Sequence, residues 1–579
     1  MTSLDYAILG AYLVAVLLAG VWLARRAAVG SDAYFLAGPE LPWWALGCSG
    51  MASNLDVAGT MTVVSLITVY GLQGFFIEFR GGVVLPIAVF LAFMGKWHRR
   101  SGVMTTAEWM LLRFGEGRGG RLARATAAAT YVVITVAMIV FFLAAGGRFL
   151  AAFLPFTPTQ CTIGMAAVAF GYTLAGGLYG VIWTDVVQAV IIGAAAVYVA
   201  ITAAAQVSPE LLAAWPGAAL NQLLPFLAHP GLRPYEPFWV FLAVWAGKGV
   251  LEGLGGSGGS AYMAQRFYAA RSEADCRKIG MLWTLLFAVR WPMVLGFAIL
   301  AIAAGIDVRT LADAESVLPQ VLQTGFFPSG VRGLVIAAMM AAAMSTFDST
   351  INAGASYVVR DLFLPLRPRT TERGVVWAGY LASALLVGGA MWLTFGLGAS
   401  VLGIWVGIVM LLFPAFLVPF ALRWFWARFN GEGFTAGVAA GFAAAAWLAF
   451  GAPEWGDEAT RFLAIVACSA VVSVVAALIT PPVPTLRLAE FYTQTRPMGC
   501  WPREWKHVDR AEHRANWRLL AAALGWQVLT FLLPMATVLG MWAQALPALL
   551  LWLALGCYVW RGAKPAEVAE EKDGRPTVS

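Results

Sequence analysis

Residues 339–354 read MMAAAMSTFDSTINAG, a run in which Ser345, Asp348, Ser349 and Asn352 recur at helical spacing, with Thr346 beside them. At about 100° per residue these side chains fall on one stripe of a helix. Hydroxyl, carboxylate and carbonyl oxygens are what a hard cation takes as ligands. The surrounding stretch, Gly333 to Val359, is otherwise mostly Ala, Val, Ile and Met. A carboxylate at such depth in a bilayer costs about 2.5 to 3.5 kcal/mol on insertion scales and marks a functional site by default. Hydroxyls alone are ordinary glue between membrane helices, and it is Asp348 that tips the stripe toward a cation site. A second cluster, IWTDVVQ, puts Thr184, Asp185 and Gln188 on one helical face, with the alternative that Asp185 is a hydrated structural carboxylate near the cytoplasmic interface. Asp56, Glu78, Arg80, Lys248, Glu252 and Arg290 also lie inside apolar runs and are candidates for a solute pocket. The i, i+4 spacing of Lys248 and Glu252 suits a local ion pair on one helix.

Such residues need membrane helices to hold them. The chain has 579 residues, 60% hydrophobic and only 12% charged, with a mean hydropathy of +0.76. That composition is expected of a multi-pass membrane protein. Fifteen apolar runs are candidate spans: 5–24, 42–71, 75–95, 122–153, 158–175, 180–205, 236–263, 279–304, 329–358, 374–396, 399–424, 433–451, 460–480, 517–537 and 540–560. The first lacks a basic leader and a small-residue cleavage site, so it is read as a retained span. The basic residues cluster after odd-numbered spans, as in Arg25-Arg26, Lys96 to Arg124, Arg266 to Lys278, Arg360 to Arg373, Arg423 and Arg428, and Arg487 to Arg518. Positive charge collects on the cytoplasmic side. The expected topology therefore has the amino terminus outside and the carboxyl terminus inside the plasma (inner) membrane. The net charge of +7 reports this topology and not a nucleic-acid partner.

Two spans should not be continuous helices. The second contains MASNLDVAGT at 51–60, and the seventh contains GLGGSGGS at 253–260, five glycines in eight residues. Each glycine costs about 1 kcal/mol relative to alanine within a helix. The Gly253, Gly255, Gly258 spacing is no dinucleotide fingerprint, because no strand precedes it. Five spans separate the two breaks, an odd number, so two five-span units beginning at them enter the membrane in opposite directions. Glycine-interrupted spans at matching places in two inverted halves point to a midplane binding site in a secondary transporter. Unwinding of the second span near Ser53 to Val57 would free carbonyls able to ligate sodium.

The remaining residues narrow the chemistry. The four histidines, His98, His229, His507 and His513, fall between apolar runs without an HExxH motif. The six cysteines show no C-x-x-C spacing and are read as packing residues. No P-loop is present, and the G-x-S-x-G spacing of Gly255 to Gly259 lies inside an apolar span with no strand before it, so it is not read as a nucleophile elbow. An ion gradient is the expected energy source.

Three segments carry a family resemblance: AGGLYGVIWTDVVQ at 175–188, YMAQRFYAAR at 262–271 and AAAMSTFDS at 341–349. Together they make the chain resemble the sodium/solute symporter family, which includes sodium/glucose, sodium/proline and sodium/sialic acid cotransporters, over roughly residues 30–430. LRWFWARFN at 422–430 and FYTQTRP at 491–497 also resemble segments of some bacterial members. The resemblance implies an all-α LeuT-type fold of five-plus-five inverted repeats, with one extra helix at the amino terminus and about four at the carboxyl terminus. It implies a sodium site made of the carbonyls of Ala52, Leu55 and Ala342 and the hydroxyls of Ser345 and Thr346. It also implies an ion path or second cation near Asp185, Asp348 and Ser349. Asn54, Asp56, Glu78, Gly253, Ser257 and Ser260 are the candidate solute contacts. The chain departs from sugar carriers at the seventh span, where it has glycines and serines in place of aromatic and amide side chains. It departs from proline carriers in having Asn54 where they have aspartate.

The expectation is a sodium-coupled importer of a small organic solute working by alternating access, not an enzyme. A proton-coupled symporter of the same fold and a transporter-like membrane sensor are the alternatives. The expected organisation is a peripheral helix at 1–30, repeats at 42–205 and 236–425, accessory helices at 433–480, a cytoplasmic linker at 481–516, accessory helices at 517–561 and a disordered tail at 562–579. A monomer in the lipid bilayer is the simplest assembly, with the oligomeric state left open.

Overall fold

The computed structural model describes the chain apart from residues 28–40, 104, 216, 257–260, 309–310, 507–509 and 564–579, so most of the expected tail lies outside the described residues. Among the described residues the regular structure is helical, apart from one isolated bridge between Trp426 and Cys500. Nine helices there are long and apolar enough to cross a membrane, or twelve if each of three bent pairs is one span. The other three candidate spans are helical as well. They are Ser3–Ala27, Phe238–Leu254, and the first part of Pro158–Ala204, which kinks at Gly177 (φ 52°) to begin the sixth span.

Local chemistry sets several boundaries. Thr157 and Gln160 form a reciprocal capping box at the start of the fifth span, with Pro158 in its first turn. Asp56, Ser272, Thr371, Asn430 and Asp457 each accept a backbone N–H at other helix starts.

The second span breaks as expected: Trp43–Ala52 and Val57–Tyr70 meet at 60°. The third differs from the continuous helix expected over 75–95. It consists of Gln73–Arg80 and Val84–Ser101 bent by 75°, with Gly81 in the corner. A Cβ on Gly81 would stand 2.4 Å from the Trp405 ring, so the turn is closed against the eleventh span. That eleventh span itself bends by 43° where Pro414, with no N–H to donate, starts its second half.

Small residues bring the helices close. A Cβ on Gly50 would lie 2.2 Å from the Trp283 ring, which welds the second span to the eighth. Gly433, Gly437 and Gly441 line one face of Gly431–Ala446 against Ala477, Ser473 and Ala415. The ninth span, Val331–Leu366, is buried along nearly its whole length and so occupies the centre of the bundle.

Several basic residues expected in loops are buried instead: Lys96, Arg113, Arg266 and Arg423. Arg113 donates to the carbonyls of Arg423, Trp426 and Phe429, which close the eleventh span. A cation at a helix carboxyl end satisfies carbonyls that have no intrahelical partner. His98 is likewise inside, on the helix Gly95–Ser101. Of the cysteines, Cys161 and Cys276 are buried, whereas Cys500 and Cys557 are exposed and do not pack as expected.

Candidate cation and solute site

The unwound part of the second span and the hydroxyl stripe of the ninth come together. Ser53 Oγ and Ser349 Oγ stand 2.8 Å apart, both fully buried. Asp185 of the sixth span lies against them and is itself fully buried, which rules out the hydrated interfacial role. Its carboxylate accepts from Ser49 Oγ at 2.6 Å and from Ser345 Oγ. A hydroxyl that gives its hydrogen to a carboxylate turns its lone pairs outward, which suits a cation ligand. Thr346 Oγ1 donates to the Ala342 carbonyl at 3.1 Å. Ala52, Leu55 and Ala342 are fully buried. These residues offer carbonyl and hydroxyl oxygens without nitrogen or sulfur, a donor set that fits a hard alkali cation.

One member of this cluster was not anticipated. Arg266, on the half-helix Ala261–Tyr268 beyond the seventh-span break, places Nη2 2.7 Å from Ser349 Oγ, 2.9 Å from Ser53 Oγ and 3.0 Å from Ser49 Oγ. The same atom is 3.6 Å from Asp185 Oδ2. Asp348, also buried, is close enough for its charge to act on Arg266. The second, sixth and ninth spans thus converge on one guanidinium. The signal in the sequence was position, since Gln265-Arg266 follows directly on the expected break. Thr184 and Gln188 do not join this cluster. Thr184 bonds to the carbonyls of Gly180 and Val181, and Gln188 donates to the Tyr12 hydroxyl of the first span.

The candidate solute residues lie on the other side of the second-span break. Asn54 Oδ1 accepts from Tyr262 Oη at 3.2 Å, and Tyr262 Oη also lies 3.0 Å from the Ser53 carbonyl. Asp56 caps the second half of its span through Gly59 N at 2.6 Å, and its charge faces Arg290. Arg290 Nη1 donates to the Asn54 carbonyl at 3.0 Å. Glu78 stands at the corner of the third span, buried, with Oε2 lacking a hydrogen-bond partner among the described residues. The charges of Arg290, Arg80 and Lys248 act on it. Lys248 and Glu252 form the expected ion pair at 2.6 Å, with the ammonium 4.7 Å from the Phe413 ring centre. Gly253 is a contact glycine, because a Cβ there would stand 2.6 Å from Val89 of the third span. Ser257 and Ser260 lie outside the described residues.

A sequence model of the Sodium:solute symporter family matches residues 34–441, well over half of the chain. The chain belongs to the sodium:solute symporter family. Among its relatives, a sodium/mannose cotransporter of Bos taurus is 27% identical over 77% of this chain and 79% of its own length. A sodium/glucose cotransporter of Vibrio parahaemolyticus is 26% identical over 78% and 86%, respectively. A sodium/myo-inositol cotransporter 2 of Mus musculus is 26% identical over 76% and 69%. The structure resembles that of a Na+-coupled sialic acid symporter in a substrate-bound outward-open state, with a TM-score of 0.67 and 20% identity over 83% of this chain and 99% of the other. The symporter has the LeuT fold, spans the membrane several times and uses sodium as its coupling ion.

At the end of the symporter opposite Arg266, a cleft of about 460 Å³ is lined by Met61, Arg148, Glu315, Ser316, Gln320 and Gln323. Arg148 approaches Glu315 at 3.7 Å and donates to the Ala399 carbonyl at 2.7 Å. Glu315 accepts from the backbone N–H groups of Val401 and Leu402, at the start of the eleventh span.

Proposed function

We propose that this symporter imports an uncharged polyhydroxylated solute together with sodium, through a site between its second, third, seventh and eighth spans. Sodium takes the carbonyls of Ala52, Leu55 and Ala342 and the hydroxyls of Ser345 and Thr346. Asp185, with Asp348 and Ser349, lines the cation's inward route, and Arg266 balances the Asp185 charge while that route is closed. The observation that carries this reading is the 2.8 Å approach of Ser53 and Ser349, which makes the two half-sites a single buried oxygen-rich cluster.

The solute class follows from the lining. Arg290 acts on both Asp56 and Glu78, and Lys248 acts on Glu78, so this group of side chains offers acceptors and donors with little net charge. Each hydroxyl both donates and accepts, and a polyol can satisfy such a lining without bringing a charge of its own. Asn54, Asp56 and Glu78 are the side chains proposed to meet it, with Ser257 and Ser260 following on the broken seventh span. The relatives named for mannose, glucose and myo-inositol agree with this class. The solute crosses unmodified.

The basic residues at the Arg266 end, among them Arg100, Arg124 and Arg360, favour the cytoplasm for that face. The amino terminus is then outside the plasma (inner) membrane and the linker at 481–516 within the cell. The repeats run over 42–205 and 236–425, flanked by the peripheral first helix and the accessory helices at 433–480 and 517–561.

Uptake into proteoliposomes tests the reading. Labelled polyols, proline and sialic acid are offered at fixed pH in sodium or choline medium. Polyol uptake that disappears in choline is expected, whereas uptake confined to proline or sialic acid would overturn the solute class. Ser345→Ala combined with Thr346→Ala should raise the sodium concentration for half-maximal uptake by about tenfold or more, equivalent to about 1.4 kcal/mol. An unchanged sodium dependence removes the assignment of these hydroxyls.

A further inference from the structure

We propose that His98 and Arg423 are positioning residues that grip the unwound backbone of the seventh span, and that this grip must open for the symporter to face inward. The first half of that span ends at Leu254, and Gly256 has φ +70°. The carbonyls of Gly255 and Gly256 therefore point out of the helical ladder. Arg423 Nη2 lies 2.9 Å from Gly255 O, and His98 Nε2 lies 2.8 Å from Gly256 O. His98 comes from the end of the third span and Arg423 from the end of the eleventh, so three spans meet on two consecutive carbonyls.

The surroundings are built for this contact. A Cβ on Gly256 would fall 2.5 Å from His98 Cε1, so no other residue brings the backbone this close. The His98 ring lies 5.5 Å from Trp424 and 4.8 Å from Tyr268. The Arg423 guanidinium is fully buried, 4.4 Å from the Trp109 ring centre and 4.7 Å from that of Phe420. No carboxylate lies within ion-pair distance of it among the described residues, so aromatic faces and carbonyl dipoles hold its charge. Arginine, weakly hydrated and planar, is the cation suited to such a cage.

The clamp sits immediately before the half-helix carrying Tyr262 and Arg266, which seal the inner end. Neither His98 nor Arg423 touches the candidate sodium or solute residues. Their effect is on where that half-helix can rest. Loss of the grip should populate the inward-facing form and weaken sodium binding from outside, since a ligand's apparent affinity falls with the fraction of the competent state.

The test uses the full chain with its six cysteines replaced and one reporter, Thr106→Cys, at a fully buried position beside Tyr268. A membrane-impermeant maleimide is applied from the cytoplasmic side, and sodium-dependent uptake is read in parallel. His98→Phe keeps the ring and removes both nitrogens, Nε2 facing Gly256 O and Nδ1 facing Met94 O. It should increase reporter labelling severalfold and raise the half-saturating sodium concentration by about fivefold or more. His98→Gln, which restores an N–H, should return both readouts toward the parent values. Unchanged readouts in His98→Phe overturn the proposal, as does a His98→Gln protein that behaves like His98→Phe. Where His98→Phe does not accumulate, Arg423→Gln is read the same way, and parent-like labelling and sodium dependence overturn it.

Discussion

The two ends of the proposed transport path are closed by different means. At the inner end, Asp185, Arg266, Ser49, Ser53, Ser345 and Ser349 form a network whose members are all essentially inaccessible to water. At the outer end, one ion pair between Arg148 and Glu315 spans a cleft, and the Arg148 side chain is 41% exposed. Charges removed from water interact strongly and cost much to separate, whereas exposed pairs gain little. In the orientation proposed above, charge therefore holds the inner end shut more firmly than the outer end, a bias that suits a carrier receiving sodium from outside.

The most severe way to break this asymmetry is to strip one charge from the inner network. Asp185→Ala leaves the Arg266 guanidinium buried without its carboxylate, a change that typically costs about 3 to 5 kcal/mol. The expected result is a markedly lower melting temperature in detergent and loss of sodium-driven uptake. The Asp185→Asn, Arg266→Gln double variant, which removes both charges of the pair and leaves Asp348 as the remaining carboxylate beside it, should recover much of the stability and none of the coupling. A double variant as unstable as Asp185→Ala would show that packing, and not charge balance, holds the inner end.

Asp56 gives a smaller effect and separates two roles in one side chain. Its carboxylate caps the helix Val57–Tyr70 while facing Arg290. Loss of an N-cap costs about 0.5 to 2 kcal/mol, and asparagine caps as well as aspartate. Asp56→Ala should therefore lower stability, while Asp56→Asn should preserve it and alter the solute KM. If both variants keep the parent KM, Asp56 is a cap alone and the polyol lining begins at Glu78.

Much of the inner end was legible in the sequence because its signals are local. The stripe Ser345, Asp348, Ser349 reads from helical spacing, and both glycine-marked or polar breaks read from composition. What stayed hidden depended on approaches between distant segments. Arg266, Arg423 and His98 look like loop residues because cytoplasmic ends are basic, and only the fold brings carbonyls and aromatic rings around them. The 75° corner of the third span was missed for a related reason. Gly81-Gly82 is a short signal, and the Trp405 ring that closes the corner lies more than three hundred residues away. Glu78 is buried as expected, but of its three cationic neighbours only Arg80 is local, and Lys248 and Arg290 come from other spans. Gly253 was read as a solute contact because it lies in the glycine run, while its actual neighbour is Val89.

The smallest expected effect lies at the outer end, and it sharpens the contrast most directly. Arg148→Gln removes the charge facing Glu315 but leaves a side chain able to donate to the Ala399 carbonyl. An exposed pair contributes about 0 to 1 kcal/mol, and salt screens it further. The melting temperature should move little. Glu315 remains satisfied by the N–H groups of Val401 and Leu402, so the eleventh span keeps its start. What should change is the speed with which the outer cleft opens, read as a modest rise in maximal uptake rate at low salt that vanishes at high ionic strength. The test therefore compares the parent and Arg148→Gln across a series of choline chloride concentrations at constant sodium. Convergence of the two rates with added salt supports a weak electrostatic outer latch. A large stability loss in Arg148→Gln would instead make the outer pair a structural anchor comparable with Asp185 and Arg266, and the difference in firmness between the two ends would no longer stand.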